Sequence, residues 1–211
     1  MATVWSAFYP DCLPELPGAP QPLVDHTLRN VAIDFCTRSK AHRADLAVID
    51  ADASVGTYAL TLPAGTDLVE IIAARFDGYS LDPKAPEFLE RQYDDWQTEV
   101  GTPTYHTRQS SDSILIVPAP SADATGAIKV KVALCPSATA TGLDDWLFAK
   151  FRRVIAAGAK SMLMVQTGRP WANEKLSMTY GAQYESALAD ATVAANKGLV
   201  QSRPRFSGSF C

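Results

Sequence analysis

Three histidines, four cysteines and two pairs of adjacent aspartates carry most of the reactive chemistry in this chain of 211 residues. His26, His42 and His106 stand apart from one another, and none belongs to an H-x-x-x-H or H-E-x-x-H pattern, so no metal centre is expected. Asp94-Asp95 and Asp144-Asp145 offer paired carboxylates of the kind glycosidases use. Neighbours on a helix project about 100° apart, however, and cannot flank one bond; these acids read more simply as charges near helix ends. Cys36 and His26 fall ten residues apart on one expected helix, too far for a nucleophile and its base. Neither a G-x-S-x-G elbow nor a glycine-rich phosphate loop occurs. Cys12, Cys36, Cys135 and Cys211 are scattered without a Cys-x-x-Cys pair and read as reduced thiols, with Cys36 as core filler. The residues thus point to no catalytic group, no cofactor and no metal.

The totals agree with a soluble, folded chain: 47% of residues are hydrophobic and 20% charged. A net charge of -4 argues against a protein that grips nucleic acid, since such affinity needs clustered cations to displace counterions. No run approaches the ~18 apolar residues of a membrane span, and "MATVWSAFYPDC" lacks the basic start of a signal peptide, so synthesis in the cytoplasm and no membrane partner are expected.

The elements around these residues are expected to be of two kinds. Residues 1–20 form an extended leader, because Pro10, Pro14, Pro17 and Pro20 remove donors and fix φ. Val24, Leu28, Val31 and Phe35 recur at helical spacing over 21–39. From Leu46 the period falls to two, which predicts strands. Val69, Ile71 and Ala73 against Ile72, Ala74 and Phe76 give a strand apolar on both faces, and Asp77-Gly78 predicts a hairpin tip. A short helix is expected near 86–96, and Ile114–Val117 is expected to pair as a hairpin with Ile128–Leu134. Thr141 and Asp144 resemble a capping box before a helix over 143–167, whose stripe is Leu147, Phe151, Val154, Gly158, Met162 and Val165. A last helix runs over 171–197, closed by Gly198. The fold class is therefore α+β: a helix bundle (21–45 and 137–198) carrying an inserted antiparallel β-rich module (46–136), with extended termini and a C-terminal arm at 199–211.

Several short motifs stand in a distinctive order: Trp96 before Gly101-x-Pro103-x-Tyr105, then "ILIVPAP", "VKVALCP", "GAKSML" and "RPW". In that order they resemble the head-to-tail adaptor proteins of tailed phages, in particular the tail tubular protein A-like adaptors, over residues 21–198. The resemblance implies a connector in the phage neck, assembled as a dodecameric ring between the portal protein and a downstream tail or neck protein, with DNA in transit through its bore. It implies no enzyme. It also gives the turn a place: Gly101 and Pro103 fix a reversal in the β module, and Tyr105 packs it.

In such a connector the arm is the expected portal-docking element, with Leu199, Val200, Phe206 and Phe210 as apolar anchors and Arg203 and Arg205 facing acids of the partner. Two alternatives remain open on the sequence. One is another virion binding module with a β domain on a helical stalk; the other is a small hydrolase built from Asp94, Asp95 and His106.

Overall fold

The computed structural model describes residues 2–92 and 95–197. In chain order its elements are β1 (Ala2–Val4), α1 (Tyr9–Cys12), α2 (Gln21–Ser39), β2 (Arg43–Asp45), β3 (Ile49–Ala51), β4 (Thr57–Ala59), β5 (Thr66–Phe76) and β6 (Tyr79–Pro83). There follow α3 (Pro86–Gln92), β7 (Val100–Gly101), β8 (Tyr105–Ser110), β9 (Ser113–Val117), β10 (Ala119–Pro120), β11 (Ala124–Pro136), β12 (Gly142–Asp144), α4 (Asp145–Met164) and α5 (Glu174–Asn196). The class is α+β, and the described residues divide into two compact units: one within 42–137, the other made of 2–41 with 138–197.

Within the helical unit α4 is the innermost element. From Ile155 to Lys160 every residue is buried, and a helix enclosed on all sides needs neighbours around its circumference. On one side lies α2, with Phe35 against Phe151 at 4.8 Å between ring centroids. On another lies α5, joined by a reciprocal pair in which Ser161 Oγ donates to the Ser177 carbonyl (2.9 Å) and Ser177 Oγ to the Ser161 carbonyl (2.8 Å). The caps are local: Asp144 accepts from the Trp146 amide at 2.9 Å, and Asn173 from the Leu176 amide at 3.1 Å.

Residues 2–16 do not form the extended leader expected from the prolines. They fold into short helical turns, Trp5–Phe8, α1 and Leu13–Glu15, that bury Trp5, Phe8, Cys12 and Leu16. Pro10 and Pro14 sit in the first turns of these pieces, where a missing amide donor costs nothing, so proline here starts helical turns instead of excluding them. Trp5 Nε1 donates to the Ala140 carbonyl at 2.9 Å, Phe8 meets Phe148 edge-on at 4.9 Å, and β1 pairs with β12. Helix α4 also differs from expectation: Asp144, not Thr141, is its cap, and Ile155, Ala159 and Leu163 lie inside while Met162 and Val165 face outward. Gly198 lies outside the described residues.

In the β unit the strand order is β2-β11-β5-β6-β8-β9-β4, with β3 also paired to β11. Pairing is antiparallel except at β6–β8 and at the separate β7–β10 pair, which are parallel. The Asp77-Gly78 hairpin forms, both residues having positive φ (47° and 85°), the conformation its two-residue turn requires. The expected hairpin between Ile114–Val117 and Ile128–Leu134 does not. Instead β9 lies between β8 and β4, and β11 pairs along most of its length with β5. Residues Pro118 and Pro120, which lack ladder donors, stand between them, and β5 with 11 residues comes far nearer than the 5 of β9 to the 13 residues of β11.

The pattern of β5 resolves in the same way. Its register on β11 shifts at Ile72 and at Val69, so Leu68, Ile71, Ala74 and Phe76 all reach the core although they do not share one parity. The strand covered on both faces is β9: Ile114 and Ile116 enter the main core, while Leu115 and Val117 pack with Leu89, Trp96 and Tyr105. Between β5 and β8 the sheet is held by a side chain. Arg108 donates to four carbonyls: Val69 and Ser110 at 2.9 Å, Ser111 at 3.1 Å and Leu68 at 3.2 Å.

Two substitutions test this packing. A Cβ at Gly158 would stand 2.7 Å from Val31 Cγ1 and 2.8 Å from Tyr184 Cδ2, both buried and unable to swing away. Overpacking of that kind costs about 1–3 kcal/mol against the ~1 kcal/mol that Ala gains over Gly in a helix, so Gly158→Ala is expected to lower stability by up to about 2 kcal/mol in urea unfolding. Arg108→Gln, which leaves at least two of the four carbonyls without their donor, is expected to lower it by about 2 kcal/mol and to speed amide exchange in β5.

Candidate functional site

The residues with reactive side chains are drawn into structural roles. His106 is 4% exposed, at the end of a cleft of about 320 Å³ lined by Val69, Ile71, Pro83, Lys84 and Arg108. Burial holds its imidazole below the usual histidine range, outweighing the opposing pull of Asp82, so the ring is neutral at pH 7. Asp95 is exposed in the turn after α3, where its carbonyl accepts from the amides of Thr98 (2.9 Å) and Glu99 (3.1 Å). The carboxylate whose charge reaches His106 is Asp82, not Asp95, and Asp94 lies outside the described residues. The constellation expected for a hydrolase is therefore not brought together among the described residues.

Cys12 is fully buried, and burial pushes its thiol up to about 12, leaving it protonated and a poor nucleophile. Cys36 fills the core beside α4 as expected. Asp144 is occupied as a cap, and Asp145 accepts from Thr3 Oγ1 at 2.6 Å. Among the described residues no group of three or more His, Cys, Asp or Glu side chains could hold a metal ion. None of the described helices is long and apolar enough to cross a membrane.

Two polar clusters went unnoticed in the sequence. Lys160 is buried and pairs with Glu15 at 2.9 Å while standing 3.8 Å from the centroid of the Tyr180 ring; the Tyr180 hydroxyl donates to the same carboxylate. Although burial acts against it, the bonds from Tyr180 and Lys160 hold Glu15 below the ordinary glutamate range. A lysine inside the otherwise apolar run "IAAGAKSML" is the signal that would have found it, because a buried cation requires an anion. Arg38 reaches Glu185 with both terminal nitrogens, at 2.6 and 2.8 Å, and Tyr184 donates to Asp34 at 2.7 Å. These tie the helical unit together and present no reacting geometry.

The turn residues are placed close together. Gly101 lies in β7 opposite Pro120, Pro103 is buried, and Tyr105 opens β8 with its ring 6.3 Å from Phe88. Leu199, Val200, Arg203, Arg205, Phe206 and Phe210 lie outside the described residues. What the described surface does offer is exposed apolar side chains: Tyr79 at the hairpin tip, 76% exposed, Met178 and Val193 along α5, Phe88 on α3 and Trp146 at the start of α4.

No curated protein matches the chain. The family model described as SU10 adaptor protein matches residues 10–206, which takes in both units and the short helical turns at the N-terminus from Pro10 onward. With nearly the whole length matched, the chain belongs to the SU10 adaptor protein family, a family of phage head-tail adaptors.

Proposed function

We propose that this adaptor is a structural protein of the phage neck that forms a ring, twelvefold by the resemblance of its motifs, joining the portal protein to the downstream tail or neck protein. DNA passes through the bore during genome ejection and no substrate is transformed. Family membership over residues 10–206 carries this reading, since a phage adaptor is a virion component that meets portal and tail proteins. The engagement of the reactive residues in caps, ion pairs and core supports it from the side of chemistry.

Closed rings need two different faces that complement each other, and exposed apolar side chains on both units supply material for them. We assign portal docking to the arm: Leu199, Val200, Phe206 and Phe210 seat in apolar pockets, and Arg203 and Arg205 pair with acids of the portal. Gly101, Pro103 and Tyr105 hold α3 and the turn after it onto the β unit, so that this part is presented as one surface.

Deleting residues 199–211 is expected to weaken co-assembly with the portal roughly tenfold or more while leaving the circular dichroism spectrum intact. Unchanged co-assembly would refute the docking role. The bore makes a separate demand. With a net charge of -4, the protein is expected to leave duplex DNA unretarded in a gel at about 150 mM salt. Retardation there would contradict a channel through which DNA slides.

A further inference from the structure

Charge is divided unequally between the two units. Residues 42–137 hold 14 acidic and 7 basic side chains, a net of -7; the rest of the chain holds 9 acidic and 12 basic, a net of +3 with Arg203 and Arg205 counted, and together these give the overall -4. Each sign is displayed on a helix beside an exposed aromatic. At the start of α4, Trp146, Lys150 and Arg153 follow one another at steps of four and three and so share one exposed stripe. On α3, Glu87 and Glu90 stand three apart and exposed, with Phe88 between them. Trp146 is 41% exposed and Phe88 42%, although Leu147 and Leu89, the next residue in each case, are fully buried.

Neither stripe is neutralised within the chain: among the described residues Lys150 and Arg153 have no carboxylate partner, and Glu87 and Glu90 have no cation. Lys150 instead lies 5.2 Å from the Trp146 ring centroid, and Lys84 lies 4.8 Å from that of Phe88. Of the acids around this part of α4, Asp144 and Asp145 at its start are engaged by the Trp146 amide and the Thr3 hydroxyl, and Asp11 pairs with Arg152 at 3.6 Å. The one basic residue on α3 is Arg91, set against the surplus of acid in its unit.

We infer that these two stripes are the opposite faces of one contact between copies of this chain: Trp146, Lys150 and Arg153 of one copy seat on Glu87, Phe88 and Glu90 of the next. The inference rests on the ring reading above and gives it its lateral interface. The contact is heterologous, since a copy that uses its α4 stripe on one neighbour still offers its α3 stripe to the other, and repetition around an axis closes a ring. Aromatic side chains supply the buried area while the charges set register and exclude pairing of like faces.

A charge exchange tests it. One variant carries Lys150→Glu and Arg153→Glu; the other carries Glu87→Lys and Glu90→Lys. All four sites are exposed, so both variants are expected to melt within a few degrees of the parent chain. Each alone is expected to lose ring assembly with the portal, seen by negative-stain imaging and mass measurement, at a protein concentration ten times that at which the parent assembles. Mixed in equal amounts they are expected to recover it, because every contact in an alternating ring again joins opposite signs. Rings from either variant alone, or no recovery from folded variants on mixing, would overturn the assigned interface while leaving the ring itself standing. A parent chain that forms no ring with its portal would overturn both.

Discussion

The helical unit depends on the enclosure of α4. A stretch buried around its whole circumference leaves no face for water, so each neighbour must be fitted to it, and the fit is visible in side-chain choice. Gly158 lets Val31 and Tyr184 approach from different helices; Ser161 and Ser177 exchange hydrogen bonds where larger side chains would hold α4 and α5 apart. The same enclosure fixes the N-terminal turns. Lys160 is largely buried, so its charge favours an anion nearby, and Glu15, itself partly exposed, supplies it from a segment that also buries Trp5, Phe8 and Leu16. The ion pair and this apolar burial together hold the proline-rich segment on the helical unit.

Much of this was legible in the sequence where one local rule acts alone. Helix α2 matches its expected span because Pro22 and the apolar period of three and four agree, and the Asp77-Gly78 turn forms because only a few residues accept its backbone conformation. What the sequence hid was decided by partners far along the chain. Pro10 and Pro14 read as breakers, yet both stand exposed in the first turns of helical pieces whose neighbours Trp5, Phe8, Cys12 and Leu16 are buried by distant parts of the chain. Two register shifts allowed β5 to satisfy one core with residues of both parities, which no alternation rule can show. The hairpin between β9 and β11 failed because proximity in sequence lost to length: β5 offers β11 a far longer ladder. For the site, Lys160, Arg38 and Arg108 acquire their roles only through partners that sequence distance conceals.

Arg108 shows how the β unit accommodates its own irregularity. Strands β6 and β8 run parallel over only two residue pairs, and β5 is paired with β6 only near the hairpin, so carbonyls of Leu68 and Val69 would lack a strand partner. A guanidinium has five donors in a fixed plane and can serve several such carbonyls at once without requiring another strand. The β unit is thus closed partly by a side chain, and its surface strands and α3 are free to carry residues chosen for other purposes.

That freedom bears on the distribution of charge. Fourteen acids against seven cations in 96 residues add self-repulsion to the β unit, and an even mixture of signs would fold with less of it. The helical unit leans the other way, so the imbalance is not a general acidity of the chain. Within one isolated copy the arrangement has a cost and no compensation visible among the described partners of Glu87, Glu90, Lys150 and Arg153. If the α4 stripe of one copy meets the α3 stripe of another, as inferred above, the same arrangement becomes favourable at each such contact. Specificity of that kind is a difference between partners, and a subunit that neutralised its own stripes would have less to distinguish a neighbouring copy from any other protein.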